Sequence, residues 1–201
     1  DSSGAFVLFR RAGAVHLLAL SGMHLGFLFL LIAGICVPVL GKRAGLSATL
    51  AGILLYLIFV GPRPSLVRAV LMSGLGIVWT LFSAKRIDTI RLLVFAFVLQ
   101  AGSMPETAHS LSFGLSYLAL LGILGASRTV ERRLPFFIPP GVRAVLSAGI
   151  SAQAFSAPLL LSMFGEVYPV GIVSSLLLTP AVLFFMGAGI VYLLWSAGGQ
   201  V

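Results

Sequence analysis

The chain has 201 residues, of which 59% are hydrophobic and only 9% charged, with a mean hydropathy of +1.13 and a formal net charge of +8. A soluble domain carries roughly a quarter charged residues, so a water-surrounded globular fold is excluded and lipid is the expected solvent. The charge balance alone would also admit a nucleic-acid binder, but the Lys/Arg excess that marks the cytoplasmic side of membrane proteins accounts for most of it.

Apolar runs separated by Gly, Pro or charge predict seven segments, at about 14–37, 45–60, 65–83, 87–102, 111–127, 142–164 and 169–195. A crossing needs about 20 apolar residues. The second and fourth segments are short by that measure, and the seventh is long and expected to break at Pro180, which makes these segments candidates for tilted, broken or re-entrant geometry. The fold class expected is an all-α polytopic helical bundle forming one membrane domain over residues 1–201. The chain opens with Asp1, lacks a basic region ahead of a short apolar stretch, and is expected to be a piece of a longer protein. Cys36 is the single cysteine, so no intrachain disulfide can form.

If all seven segments cross, one side carries Lys42, Arg43, Lys85, Arg86, Arg128, Arg132, Arg133 and Arg143 and the other Arg10, Arg11 and Arg63. The first side is therefore predicted cytoplasmic and residue 1 external. The longest connection, 128–141, contains Pro135, Pro139 and Pro140 and is predicted to be a basic, partly rigid loop.

Polar groups at membrane depth are costly and tend to face a bundle interior or a water-filled cavity. The first segment places His16, Ser21 and His24 in one sector and the small residues Ala19, Gly22, Gly26 and Ala33 in another, the latter a candidate packing seam. The third gathers Ser65, Arg68, Met72, Ser73, Gly76, Thr80 and Ser83 on one face. Arg68 lies one turn inside, where it either turns inward or snorkels to the interface. The fifth carries Ser112 and Ser116, with His109 just before it. The sixth has Ser147 and Ser151 on one side and Gln153 and Ser156 on the other, a pattern expected of a central helix, with a kink at Pro158. Ser174, Ser175 and Thr179 precede Pro180 in the seventh.

The run His16-Leu17-Leu18-Ala19-Leu20-Ser21-Gly22-Met23-His24 resembles the HLLAISGLH signature of the ComEC competence-protein family. Pro64-Ser65-Leu66-Val67-Arg68-Ala69-Val70-Leu71-Met72 is similar to that family's PSxxRAxLM segment, and Leu115-Ser116-Tyr117-Leu118-Ala119 to its LSFLA. Ala152-Gln153, Pro158 and Pro180 follow in the family's order, so the resemblance covers about residues 4–185. It implies the channel-forming domain that admits transforming DNA, as a single strand, through the bacterial inner membrane. His16, Ser21, His24, Arg68, Ser116 and Gln153 match motif positions and are the implied pathway residues. Ser175 stands where the family has Asn, Gly114 where Gln is common, and Pro62 where an aromatic often precedes the Pro-Ser pair. The implied partners are single-stranded DNA, the lipid bilayer, a DNA-binding receptor and a cytoplasmic motor, and an oligomer is left open.

No cofactor, metal or catalytic residue is expected. Three histidines without a clustered Asp set do not make a hydrolytic zinc site, and Gly41-Lys42 is followed by Arg43 where a P-loop needs Ser or Thr. Phe113, Tyr117 and Phe155 are candidates for base stacking or for core. Three alternatives compete: a small-molecule transporter, a membrane scaffold, and an intramembrane serine protease using Ser21. The protease requires a His from another span within reach of the serine.

Overall fold

A computed structural model describes residues 22–83, 87–166 and 169–198. Eight helices and no strand occur among them: α1 (Gly22–Leu40), α2 (Lys42–Val60), α3 (Pro64–Phe82), α4 (Thr89–Ser103), the single turn α5 (Pro105–Ala108), α6 (Leu111–Arg133), α7 (Pro140–Phe164) and α8 (Val170–Gly198). The chain is an all-α, multi-pass membrane protein. Five of the described helices, α2, α3, α6, α7 and α8, are long and apolar enough to cross a bilayer, while α4 and the described part of α1 are shorter apolar helices. The second segment, expected to be short, is a 19-residue helix of about 28 Å.

A single residue, Gly41, joins α1 to α2. Its φ of 80° lies in the left-handed region that side chains resist, and it folds the two helices into a tight antiparallel hairpin. On α2, a Cβ at Gly45 would stand 2.5 Å from the Val37 Cα, and one at Gly52 2.7 Å from Ile32 Cδ1. The backbones therefore meet along a seam supplied by α2. Gly26, placed by its sequence in a small-residue seam on α1, has open space around its Cβ direction.

The hairpin packs on α3, which also touches α4 and α6; α6 in turn packs along α7, and α7 along α8. Leu25, Ile53, Leu66, Val70 and Ile77 form one core cluster, between α1, α2 and α3. Leu93, Phe113 and Tyr117 form a second, between α4 and α6. Elsewhere large apolar side chains such as Phe59, Phe82 and Phe184 face outward, as expected of helices solvated by acyl chains.

Two sequence expectations are corrected. Helix α8 runs through Pro180 without interruption; α7 and α1 likewise carry Pro158 and Pro38 inside continuous helices. Each proline removes one backbone N–H donor, a loss tolerated in membrane helices because neighbouring helices, Ser/Thr side chains and local adjustment of the turn re-satisfy the freed carbonyl. The 128–141 loop shrinks to residues 134–139, because α6 continues to Arg133, where Arg132 and Arg133 complement the negative end of the helix dipole, and α7 begins at Pro140.

The helices alternate in direction where polar contacts fix their ends. Gln100 near the end of α4 reaches Pro64 at the start of α3. Lys42 and Arg43 share a cleft with Thr80–Ser83 at the end of α3, and Arg128 at the end of α6 shares one with Arg143 at the start of α7. Lys42, Arg43, Arg128, Arg132 and Arg143 thus gather at helix ends remote from Pro64 and Gln100, as the charge count predicts. Lys85 and Arg86 lie outside the described residues.

Candidate functional site

Arg68 enters on the second turn of α3, about 6 Å along the axis from Pro64. Leu66, Val67 and Val70 on the same helix are buried, so α3 is held firmly behind it. Its guanidinium does not snorkel: Nη1 donates a hydrogen bond to the Ser116 carbonyl of α6. The Cζ atom stands 5.9 Å from the centroid of the Tyr117 ring, within the range of cation–π attraction. The Arg68 Nε is buried and donates to no acceptor among the described residues, and no carboxylate among them pairs with this arginine.

Tyr117 carries the arrangement onward. Its hydroxyl donates to Gln100 Oε1 at 2.8 Å, and Gln100 Nε2 donates to the Pro64 carbonyl at 3.0 Å. Gln100 is fully buried and Tyr117 only 7% exposed, so each depends on the other for its hydrogen bond. The tyrosine ring is packed by Phe113 at 4.7 Å and by Phe97 at 5.2 Å, the latter edge-on. Three helices are therefore linked by one polar chain: α3 through Arg68 and the Pro64 carbonyl, α4 through Gln100, and α6 through the Ser116 carbonyl and Tyr117.

Of the residues expected from sequence, the structure brings Arg68 and Ser116 together, although Ser116 contributes its backbone carbonyl. His24 is half-buried on α1, beside the fully buried Leu25 that packs into the α3 cluster. Gln153 is half-buried on α7, which packs on α6 and α8, so α6 stands between it and α3. His16 and Ser21 lie outside the described residues, as does the side chain of Ser175. Phe113 and Tyr117 belong to the core, whereas Phe155 is partly exposed and lies against Gly122 on α6. Three serines of α7 are buried: Ser147 donates to the Ala144 carbonyl and Ser156 to that of Ala152, the local back-bonding common in helices. Ser151 Oγ is buried without a partner among the described residues.

Gln100 escaped sequence reasoning. The available signal was a lone amide at depth in an otherwise apolar fourth segment, the kind of residue that lipid tolerates only with a partner. What hid it was the short segment, which placed it near a presumed helix end, where a glutamine has no need of a buried acceptor.

The model of the Competence protein family matches residues 6–198. This chain belongs to that family. Over 188 residues the Competence-family chain is 28% identical to an uncharacterized protein of Aquifex aeolicus (strain VF5), covering 93% of this chain and 42% of the relative. It is 25% identical over 189 residues to ComE operon protein 3 of Bacillus subtilis (strain 168), covering 91% of this chain and 23% of the relative. The chain thus spans less than half the length of either protein. No solved structure matches it.

Proposed function

We propose that this chain takes part in DNA uptake during natural competence, as the membrane-embedded part of a longer protein in the bacterial inner membrane that conducts single-stranded DNA. Family membership over nearly the whole chain supports the role in competence. The observation that carries the finer reading is Arg68, an arginine turned into the bundle toward α6 and left without a carboxylate among the described residues.

Its present acceptor is a neutral carbonyl. A phosphodiester is a charged acceptor, and charge-assisted hydrogen bonds are about twice as strong as neutral ones, so an arriving phosphate competes with Ser116 for the guanidinium. When the phosphate moves on, the carbonyl and the Tyr117 face take the arginine back. Such a resting place keeps binding favourable yet releasable, as conduction requires. Gln100 and Tyr117 hold the frame in which the exchange occurs. The reading assigns no bond-making chemistry and no cofactor to this chain; force comes from a cytoplasmic motor, delivery from a DNA-binding receptor. His24, Gln153, Ser175, His16 and Ser21 are the further pathway residues proposed.

The test is uptake of labelled DNA into a nuclease-protected form, in cells lacking the gene and complemented with the full-length gene or its Arg68→Gln variant at matched membrane levels. Restoration by the wild type alone, with surface DNA binding unchanged, is the expected result. Restoration by both keeps the conduit and reduces Arg68 to a structural cation. Restoration by neither, with the protein present, favours a small-molecule transporter.

A further inference from the structure

The connection between α6 and α7 combines two features that the uptake reading does not use. The first is a cleft lined by Arg128 and Arg132 of α6 and Arg143 of α7, together with Glu131, with a volume of about 400 Å³. Glu131 approaches Arg143 Nε at 3.8 Å, too far for a hydrogen bond, and that Nε is buried with no acceptor among the described residues. One carboxylate against three guanidiniums leaves the cleft with a surplus of positive charge. The first turn of α7 adds no acidic residue, and the positive end of its dipole begins there.

The second feature is the intervening loop. Phe136 is 91% and Phe137 76% exposed, and Val142 and Val145 on the adjoining turns of α7 are also exposed. Two neighbouring phenylalanines facing water would be unfavourable in proportion to the apolar surface they expose. At the boundary of a bilayer the same rings are in their preferred place, the interfacial belt. Dipole complementarity explains why Arg132 and Arg133 end α6, but not why Arg128 and Arg143 converge on the same space, nor why aromatic residues flank it.

We propose that the cleft of Arg128, Arg132 and Arg143 is a binding site for the phosphodiester headgroup of an anionic phospholipid in the cytoplasmic leaflet, with Phe136 and Phe137 seated beside it at the acyl boundary. Basic pockets between membrane helices on the cytoplasmic side suit such headgroups. An acidic soluble partner would leave the phenylalanines in water, and a nucleic-acid strand would give them no acyl chains to enter. The site would fasten the α6–α7 hairpin, and with it the Ser116 carbonyl and Tyr117, at a fixed depth.

The experiment reconstitutes the full chain in phosphatidylcholine bilayers doped with spin-labelled phosphatidylglycerol, and measures the motionally restricted lipid against a spin-labelled phosphatidylcholine control. The wild type is expected to restrict phosphatidylglycerol preferentially. Arg128→Gln/Arg132→Gln/Arg143→Gln should remove the preference, while Lys42→Gln/Arg43→Gln, at the other basic cleft, should keep it. If the triple variant does not fold, Arg132→Gln and Arg143→Gln are measured singly, each expected to weaken the preference about fivefold. Absence of any preference, or equal loss at both clefts, overturns the proposal. So does displacement of the lipid by a short single-stranded oligonucleotide or by inorganic phosphate, which would give the cleft to a soluble anion.

Discussion

At the scale of residues, Gln100 and Tyr117 satisfy each other where neither can reach water, so removing one strands the other. Loss of a single partner from a buried pair costs more than loss of both. Inter-helix hydrogen bonds in membranes average about 0.6 kcal/mol and reach about 1.7 kcal/mol. The Tyr117→Phe, Gln100→Leu and double variants should therefore show a coupling energy between those values in reversible denaturant unfolding in detergent micelles. A coupling indistinguishable from zero would mean that the two side chains do not meet. Arg68→Lys keeps the charge but replaces a planar fork by a point donor on a flexible stem. It should retain a measurable part of the uptake that Arg68→Gln loses, if charge at this position is what DNA requires. Arg68 itself was legible from its place in the third segment; its acceptor was not, because a backbone carbonyl carries no sequence mark.

At the scale of elements, helix approach is set by small residues at particular positions, and the structure separates those that matter from those that do not. A Cβ on Gly122 would fall 2.4 Å from the Ser151 carbonyl oxygen, whereas Gly125, one turn along α6, faces open space. The first contact is with backbone and cannot be relieved by a rotamer change. Gly122→Ala is expected to destabilise the α6–α7 pair by about 1–3 kcal/mol, the usual range for overpacking. Gly125→Ala should be neutral or stabilising by up to about 1 kcal/mol, the helix-propensity gain over glycine. Thermal unfolding of the two variants in the same detergent compares them directly, and equal shifts would contradict the seam. The five long helices were legible because each is a long apolar run. Their ends were less so, since proline is punctuation in soluble helices but stays inside α1, α7 and α8 here.

At the scale of the whole molecule, the short turns and the polar links fix which helix ends lie together, and the cations choose the side. Glu106, in α5 beyond the end of α4, belongs to the end that holds Pro64 and Gln100; Arg132 belongs to the opposite one. In a chain carrying Cys36→Ser, a cysteine replacing Glu106 should react with an impermeant maleimide in intact spheroplasts. One replacing Arg132 should react only after permeabilisation. The reverse pattern would invert the topology and move the arginine cleft to the external leaflet.

Composition and the spacing of apolar runs were enough to determine an all-α, polytopic helical protein and the approximate places of its apolar segments. These depend on transfer of each segment from water to lipid, which is close to a sum over residues. The motif residues that resemble a known family were likewise local strings. Tertiary structure alone decided that Arg68 turns toward α6, that Gln100 and Tyr117 complete its frame, that Gly45 and Gly122 rather than Gly26 make close seams, and that Arg128 and Arg143 converge. Each of those depends on how helices rotate and cross, and lipid, equally apolar on every side, leaves that choice to close packing and to a few hydrogen bonds between residues far apart in the chain.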